Sequence, residues 1–415
     1  MRIAVIGTGI SGLVSAYLLA DTHDLTLFEA NDYVGGHSNT VTVDRPAGAV
    51  AIDTGFIAYN ERNYPLFTRL LGELGVSTQE TTMSFSVRDD RASIEYNGES
   101  MASLLAQRRN LFRPSFWGMI RDILRFNREA AKILDTPGAG PTLSEFLAEQ
   151  RFGRAFSERY LVPMAAAIWS APPRQIGAFP AKYFVRFFQN HGLLTVAQQP
   201  RWRTIVGGSR RYVERLTQKF RHRIRLSTPV RSIRRQNDRV VLSVEGAPEQ
   251  EFDQVIIAVH ADQALRMLAD PSEDERRILS CFRYQPNDTV LHSQSSVLPR
   301  RKVAWASWNY WIPREPTSAC TVTYYMNKLH SLVNVPETYC VTLNPNGRLT
   351  EDQVIRRFLY EHPVYTKEAF DAQGDWGVVN GVRQTYFCGA YWGYGFHEDG
   401  VRSGVAVAER LGRSW

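Results

Sequence analysis

The chain has 415 residues, 44% hydrophobic and 22% charged, a length and balance that suit two interleaved or consecutive soluble domains. Its net charge of +7, carried mostly by arginine, favours anionic partners such as phosphate groups or membrane surfaces but says nothing of fold. Cys281, Cys320, Cys340 and Cys388 lie far apart with no CxxC pair, which argues against a zinc site or disulfide framework and fits a reducing compartment.

The first element is an apolar strand over residues 2–7, around Ile3-Ala4-Val5-Ile6, and no secretory signal is expected ahead of it. No later run reaches the roughly 18 apolar residues that span a bilayer, so the protein is expected in the cytoplasm. A helix over 10–20 follows, with Ile10, Leu13, Val14, Tyr17 and Leu18 on one face, then a strand from Leu25 to Phe28 that ends at Glu29. This β-α-β order predicts a parallel sheet. A helix over 65–75 ends at Gly75. From 76 to about 200 aromatics and arginines interleave, and Pro172-Pro173 and Pro180 punctuate the stretch. Between 204 and 260 the sheet texture returns. Gly207-Gly208 leads into a helix, followed by a strand near 230, a hairpin-like 238–245 and the apolar run Val255 to Val259. Residues 280–345 read as short antiparallel strands. The last forty residues read as strand, glycine-rich loop and helix, Thr385 to Gly389 and then Val401 to Leu411.

Gly7-Thr8-Gly9-Ile10-Ser11-Gly12 stands between strand and helix in a GxGxxG pattern. Gly7 permits the tight turn, Gly9 lets a pyrophosphate approach the backbone, and Gly12 allows close helix–strand packing. The helix N-terminus, with Ser11 in its first turn, adds free N–H groups and partial positive charge. Glu29 stands where an acid accepts both hydroxyls of a ribose and disfavours a 2′-phosphate. The loop alone does not separate NAD from FAD.

Gly35-Gly36-His37 narrows the choice. With the glycine loop and Glu29 it resembles the opening of the flavin-containing amine oxidoreductases, a family that includes monoamine oxidases, protoporphyrinogen oxidases and phytoene desaturases. That family usually has arginine where this chain has His37. Asp53-Thr54-Gly55 resembles the acid-glycine turn beside the isoalloxazine. Ile205-Val206-Gly207-Gly208 resembles the central Gly-Gly motif, and Thr228-Pro229-Val230 the segment whose valine backbone reads the adenine edge. Phe387-Cys388-Gly389, Gly395 to Val401 and Ser403-Gly404 resemble the closing flavin loop and helix.

The resemblance implies an α/β fold with a Rossmann-like FAD-binding domain in discontinuous segments (1–75, 201–270 and 375–415). An α+β substrate domain (76–200 and 271–374) is inserted between them. It implies non-covalent FAD held by Gly7, Gly9, Ser11, Gly12, Glu29, Gly35, Gly36, His37, Asp53, Gly55, Val230, Gly389, Glu398, Asp399 and Val401. A helix starting near Val401 would aim its positive end at flavin N1 and C2=O, where reduced flavin carries negative charge. No metal is implied.

The absence of a second GxGxxG disfavours a dedicated NADPH domain and favours direct hydride removal from the substrate. Tyr391, Trp392, Tyr394 and Phe396 line the closing loop, with Phe396 at the family's usual tyrosine position. Lys328 and Lys302 are candidates for the lysine that bridges to flavin N5, His397 is the flavin-side choice among the possible proton shuttles His191, His260 and His397, and His397, Lys328 and Tyr394 are the catalytic candidates. Ile168-Trp169-Ser170, Asn190 to Leu194, Trp202-Arg203-Thr204, Ala306 to Tyr310 and Ala390 to His397 resemble a bacterial subgroup often encoded beside cyclopropane-fatty-acid synthase-like methyltransferases. That resemblance implies an acyl-lipid substrate, with desaturation or double-bond rearrangement near a methylated carbon, and a methyltransferase as a partner. Residues 104–128, where leucines and aromatics stand beside arginines, suit either a surface helix packed on its own core or a peripheral contact at the inner face of a membrane. No nucleic-acid partner is expected. A soluble amine oxidase and a non-catalytic flavoprotein partner of the methyltransferase stand as alternatives.

Overall fold

The computed structural model describes residues 1–138, 140–195, 200–315 and 317–415. Arg2–Ile6 is central in a five-stranded parallel sheet. It pairs with Asp24–Phe28 on one side and Gln254–Ile257 on the other, and Ile224–Arg225 and Thr385–Phe387 form the edges. The sheet is thus assembled from three distant parts of the chain, as expected. Its strands are apolar on both faces because both faces are covered. Ile3, Val5, Leu25, Leu27 and Ile256 pack under helices Ile10–Leu19 and His397–Arg410. Ala4, Ile6, Phe28, Val255 and Ile257 face the antiparallel strands Val230–Gln236 and Arg239–Val244. The turn of that hairpin lies at 237–238, so the hairpin expected within 238–245 is its second arm.

A second, seven-stranded sheet runs Val354–Val364, Arg283–His292, Cys340–Leu343, Thr321–Tyr325, Trp308–Ile312, Phe85–Asp89, Ile94–Asn97. Its pairs are antiparallel except Trp308–Ile312 with Phe85–Asp89. That one parallel pair joins segments more than 200 residues apart, where no hairpin dictates direction. Helices Pro114–Glu129, Leu143–Glu149, Val162–Trp169 and Ala181–Asn190 contribute with this sheet to the largest apolar core.

The closing helix differs from expectation. It begins at His397, four residues before Val401, because Asp399 Oδ2 accepts the Phe396 and Tyr394 N–H groups at 3.0 Å each and winds the chain early. Val401 is consequently a fully buried core residue one turn inside the helix. Among the described residues no helix is long and apolar enough to cross a membrane.

Candidate active site at the glycine loop

The three loop glycines have three separate physical reasons. Gly7 adopts φ +98°, and a side chain there would meet Ala258 O at 2.7 Å. A Cβ on Gly12 would collide with Gly7 O and stand 2.9 Å from Ala258 Cβ, so helix and strand touch at this point. A Cβ on Gly9 would meet nothing within 4 Å. The space in front of Gly9, at the start of helix Ile10–Leu19, is where an anion can reach the backbone. Ser11 is buried in that helix's first turn.

Glu29 is buried beside the loop. Oε2 accepts from Thr8 N at 3.0 Å and Thr8 Oγ1 at 2.6 Å, and Oε1 from Asn31 N at 2.9 Å and Nδ2 at 3.0 Å. These four bonds orient a carboxylate at the end of its strand, and a diol must displace the Thr8 hydroxyl to share Oε2. Glu29 O also accepts Thr228 N at 2.8 Å, which brings the Val230 segment to the same edge. Val230 itself is buried and pairs with Val244.

Gly35 and Gly36 fold over the loop. Gly35 N donates to Thr8 O at 3.1 Å, and a Cβ on Gly36 would stand 3.3 Å from Gly9 Cα. His37, next in line, enters a histidine cluster drawn from three distant segments. Its ring lies 6.2 Å from His260, 5.6 Å from His362 and 4.9 Å from Tyr360. Burial, and then His260, push His37 down to about 4; burial, and then His37 and His260, push His362 down to about 3; burial takes His260 down to about 4. All three are neutral at pH 7. His37 Nε2 is buried with no hydrogen-bond partner, while His260 Nδ1 has only Glu361 Oε2 at 3.3 Å, outside hydrogen-bond geometry.

Asp53 and Gly55 lie on the next turn. Asp53 Oδ1 accepts from Thr40 Oγ1 at 2.6 Å and from Ser209 N and Oγ at 2.8 Å, which ties this turn to the Gly207-Gly208 segment. Its Oδ2 faces His330 Nε2 at 3.4 Å, both groups being buried. Gly55 lacks a side chain because the His37 carbonyl fills that place, and Phe56 N donates to the same oxygen at 2.7 Å.

The closing segment docks on the first helix through small residues. A Cβ on Gly404 would stand 2.6 Å from Ser11 O, and one on Gly400 2.6 Å from Ile10 Cγ2. Gly389 N donates to Ser403 Oγ at 3.0 Å. The two acids here are occupied by the backbone. Glu398 accepts Leu66 N and Phe67 N at 3.0 Å each, capping helix Pro65–Glu73, while Asp399 caps its own helix and pairs with Arg402 at 3.1 Å. Burial raises both carboxyls, Asp399 to about 6.

His397 is held by this closing helix. Its Nε2 is 2.8 Å from Tyr212 Oη, Tyr212 in turn meets Ser38 Oγ, and the imidazole stacks on Phe56 at 3.7 Å. Burial, and then His37, lower it to about 3. Tyr394 stands 5.5 Å from Phe187 and 5.9 Å from Phe370, and Phe396 5.1 Å from Phe187, in a cluster that His191 joins by stacking on Phe187 at 3.8 Å. Lys328 is instead ion-paired with Glu99 at 2.5 Å, and Lys302 lies over the Trp305 ring. Cys388 is fully buried against Ser15, its thiol pushed up to about 12.

The sequence reading missed His362, His330, Tyr212 and Tyr360. Each is separated by more than 150 residues from the partner it meets, and none carries a local motif. Among the described residues no group of His, Cys, Asp and Glu side chains is placed to hold a metal.

A family model described as flavin-containing amine oxidoreductase matches residues 10–293. Among solved structures, a provisionally named protoporphyrinogen oxidase from Exiguobacterium sp. 255-15 is 19% identical, with 99% of this chain and 98% of that chain covered at a TM-score of 0.70. Cyclohexylamine oxidase from Brevibacterium oxydans is 16% identical over 99% of both chains at 0.68. A CLA-producing fatty acid isomerase from P. acnes is 16% identical, covering 99% and 98%, also at 0.68. The structures share the fold, and the family model covers the glycine loop's helix, Glu29, Gly35-Gly36, Asp53 and the Gly207-Gly208 segment. The chain belongs to the flavin-containing amine oxidoreductase family and is a flavin-dependent oxidoreductase.

Proposed function

We propose that the flavin is FAD, bound without a covalent link, and that the enzyme acts on a fatty acyl chain of membrane phospholipid by hydride removal, followed by loss of a proton to leave a desaturated chain or by return of the hydride to leave a rearranged one. The open space in front of Gly9, beside the oriented Glu29 carboxylate, supports the cofactor. The helix N-terminus behind Gly9 would take the diphosphate, Glu29 the ribose, the Val230 backbone the adenine, and the Gly35–His37 and Asp53–Gly55 turns the remainder. When bound, FAD supplies the hydride acceptor. His397, Tyr212 and Ser38 hold the start of the closing helix against the Phe56 segment, and the ring cluster around Phe187, Tyr394 and Phe396 excludes water.

The observation that carries the acyl reading is the chemistry of that ring cluster. Phe187 and Phe396 pack there with Tyr394, and the two nearby carboxylates, Glu398 and Asp399, are committed to backbone N–H groups, so neither is free to meet an incoming ammonium. The P. acnes isomerase, which acts on a fatty acid, lends the fold a precedent for such a substrate. Anaerobic mixing with cis-unsaturated phospholipid in detergent should bleach the flavin, and acyl profiling after aerobic turnover should show altered chains. Bleaching by amines or polyamines with none by phospholipid would replace this reading with an amine oxidase.

A further inference from the structure

The face formed by residues 101–128 leaves large apolar side chains uncovered. Phe112 is 85% exposed, Met101 63%, Leu124 54%, Leu111 43% and Trp117 40%. Scattered single apolar residues are ordinary on a surface, but a contiguous group marks an interaction site. Here the group is built by local structure. In the turn Arg108–Phe112, the buried Asn110 donates from Nδ2 to Glu95 O at 3.2 Å, which anchors the turn by a polar residue and leaves Leu111 and Phe112 outside. Helix Pro114–Glu129 then buries Phe116, Met119 and Phe126. Trp117, Arg121, Leu124 and Arg128, at spacings of four, three and four, share its opposite face. Trp117 Nε1 donates to Leu111 O at 3.0 Å, which joins turn and helix into one surface.

The charge on this surface is one-sided. Six arginines (108, 109, 113, 121, 125 and 128) stand against Asp122 and Glu129. Asp122 is buried, accepts Gly153 N at 2.9 Å and pairs with Arg125 at 3.3 Å and more distantly with Arg121 at 4.0 Å, whose side chain stays 81% exposed; Glu129 pairs with Arg128 at 2.9 Å. Arg109 and Arg113 donate to the Ser93 and Ala92 carbonyls, not to carboxylates. Arg121 sits between Trp117 and Leu124, and the excess of arginine over carboxylates on this surface favours an anionic partner. Alternation of aromatic or aliphatic groups with arginines is the pattern of a lipid interface, where rings enter the headgroup boundary and guanidinium groups reach phosphates. The same helix leads inward: Phe126 lies 6.3 Å from Phe188, whose neighbour Phe187 stands 5.1 Å from Phe396 of the closing loop.

We infer that residues 108–128 dock the enzyme on anionic phospholipid membranes, with Phe112, Leu111, Trp117 and Leu124 inserted and the arginines on the phosphates. The inference rests on the acyl-phospholipid reading for its purpose but not for its test. The flavin-loaded protein is sedimented with vesicles of phosphatidylglycerol and phosphatidylethanolamine, and with phosphatidylcholine alone. Preferential binding to the anionic vesicles is expected, falling at least tenfold in Phe112→Glu and in Leu124→Glu. An Arg121→Gln/Arg128→Gln variant should bind more weakly and with a shallower salt dependence. The visible spectrum of each variant reports that it is folded and loaded. Wild-type protein that ignores anionic vesicles, or glutamate variants that bind like wild type, would overturn the inference. So would a wild-type dimer that Phe112→Glu makes monomeric, since the patch would then be covered by a second copy. Vesicle binding without flavin bleaching by detergent-solubilised phospholipid would defeat the acyl reading alone; bleaching without vesicle binding would defeat docking alone.

Discussion

Gly9→Ala separates a glycine kept for a ligand from one kept for the fold. Gly9 has φ −67° and ψ 174°, angles that alanine adopts freely, and its added methyl would meet no protein atom within 4 Å. The flavin-free protein should therefore keep its stability to within about 0.5 kcal/mol, the entropy gained from alanine offsetting the weaker N-cap. Gly12→Ala has no such freedom, because its methyl meets Gly7 O and Ala258 Cβ. Overpacking of that kind costs about 1–3 kcal/mol, and here the rigid backbone is the obstacle. Cofactor affinity should rank the Gly9 variant differently. A methyl in front of Gly9 holds a diphosphate away from the helix N-terminus and removes one or two charge-assisted hydrogen bonds. At roughly 1.5–3 kcal/mol each, their loss weakens FAD binding by about one to four powers of ten. Flavin-fluorescence titration of the flavin-free variants, alongside their urea midpoints, reads both quantities. A Gly9→Ala protein that folds normally and binds FAD like wild type would refute the placement of the diphosphate.

Glu398→Ala should destabilise the protein by about 2–4 kcal/mol, since it strips two backbone N–H groups of a charged acceptor, and Glu398→Gln by about half as much. A urea midpoint unchanged in both would show that the helix cap carries no stability. The buried imidazoles set a pH dependence with a definite sign. His37, His260, His362 and His397 titrate near 3 to 4 when folded and near 6.5 when unfolded, so the unfolded chain binds more protons between those values. Flavin-free stability should be full above pH 6.5 and fall as pH drops toward 4, by at most about 1.4 kcal/mol per pH unit for each imidazole. An anionic diphosphate near His37 favours its protonated form, so FAD should make the fall shallower. Denaturant midpoints at pH 7.5, 6 and 5, with and without FAD, test this; a flat profile would contradict it.

Features written in a few consecutive residues were legible without the structure. Short apolar runs located four of the five parallel strands, all but the edge strand Ile224–Arg225, and the spacing of Gly7, Gly9 and Gly12 followed from how a strand turns into a helix. Gly400 and Gly404 were visible as part of a motif, but their reason, contact with Ile10 and Ser11, belongs to two helices nearly 400 residues apart. Side-chain commitments were not legible. Glu398 and Asp399 look alike in sequence, yet one caps a remote helix and the other its own, a choice set by which N–H groups the packed chain presents. That second choice moved the helix start from Val401 to His397. Lys328, equally plausible as a flavin-side cation, faces Glu99 because the short helix Met326–Leu329 points it there. The sequence by itself therefore determined the fold class and the glycine-built loop, whose causes are local sterics and periodicity. Only the tertiary structure decided the histidine cluster, the Asp53–His330 pair and the exposed Phe112 face, because burial and partnership depend on which distant segments meet.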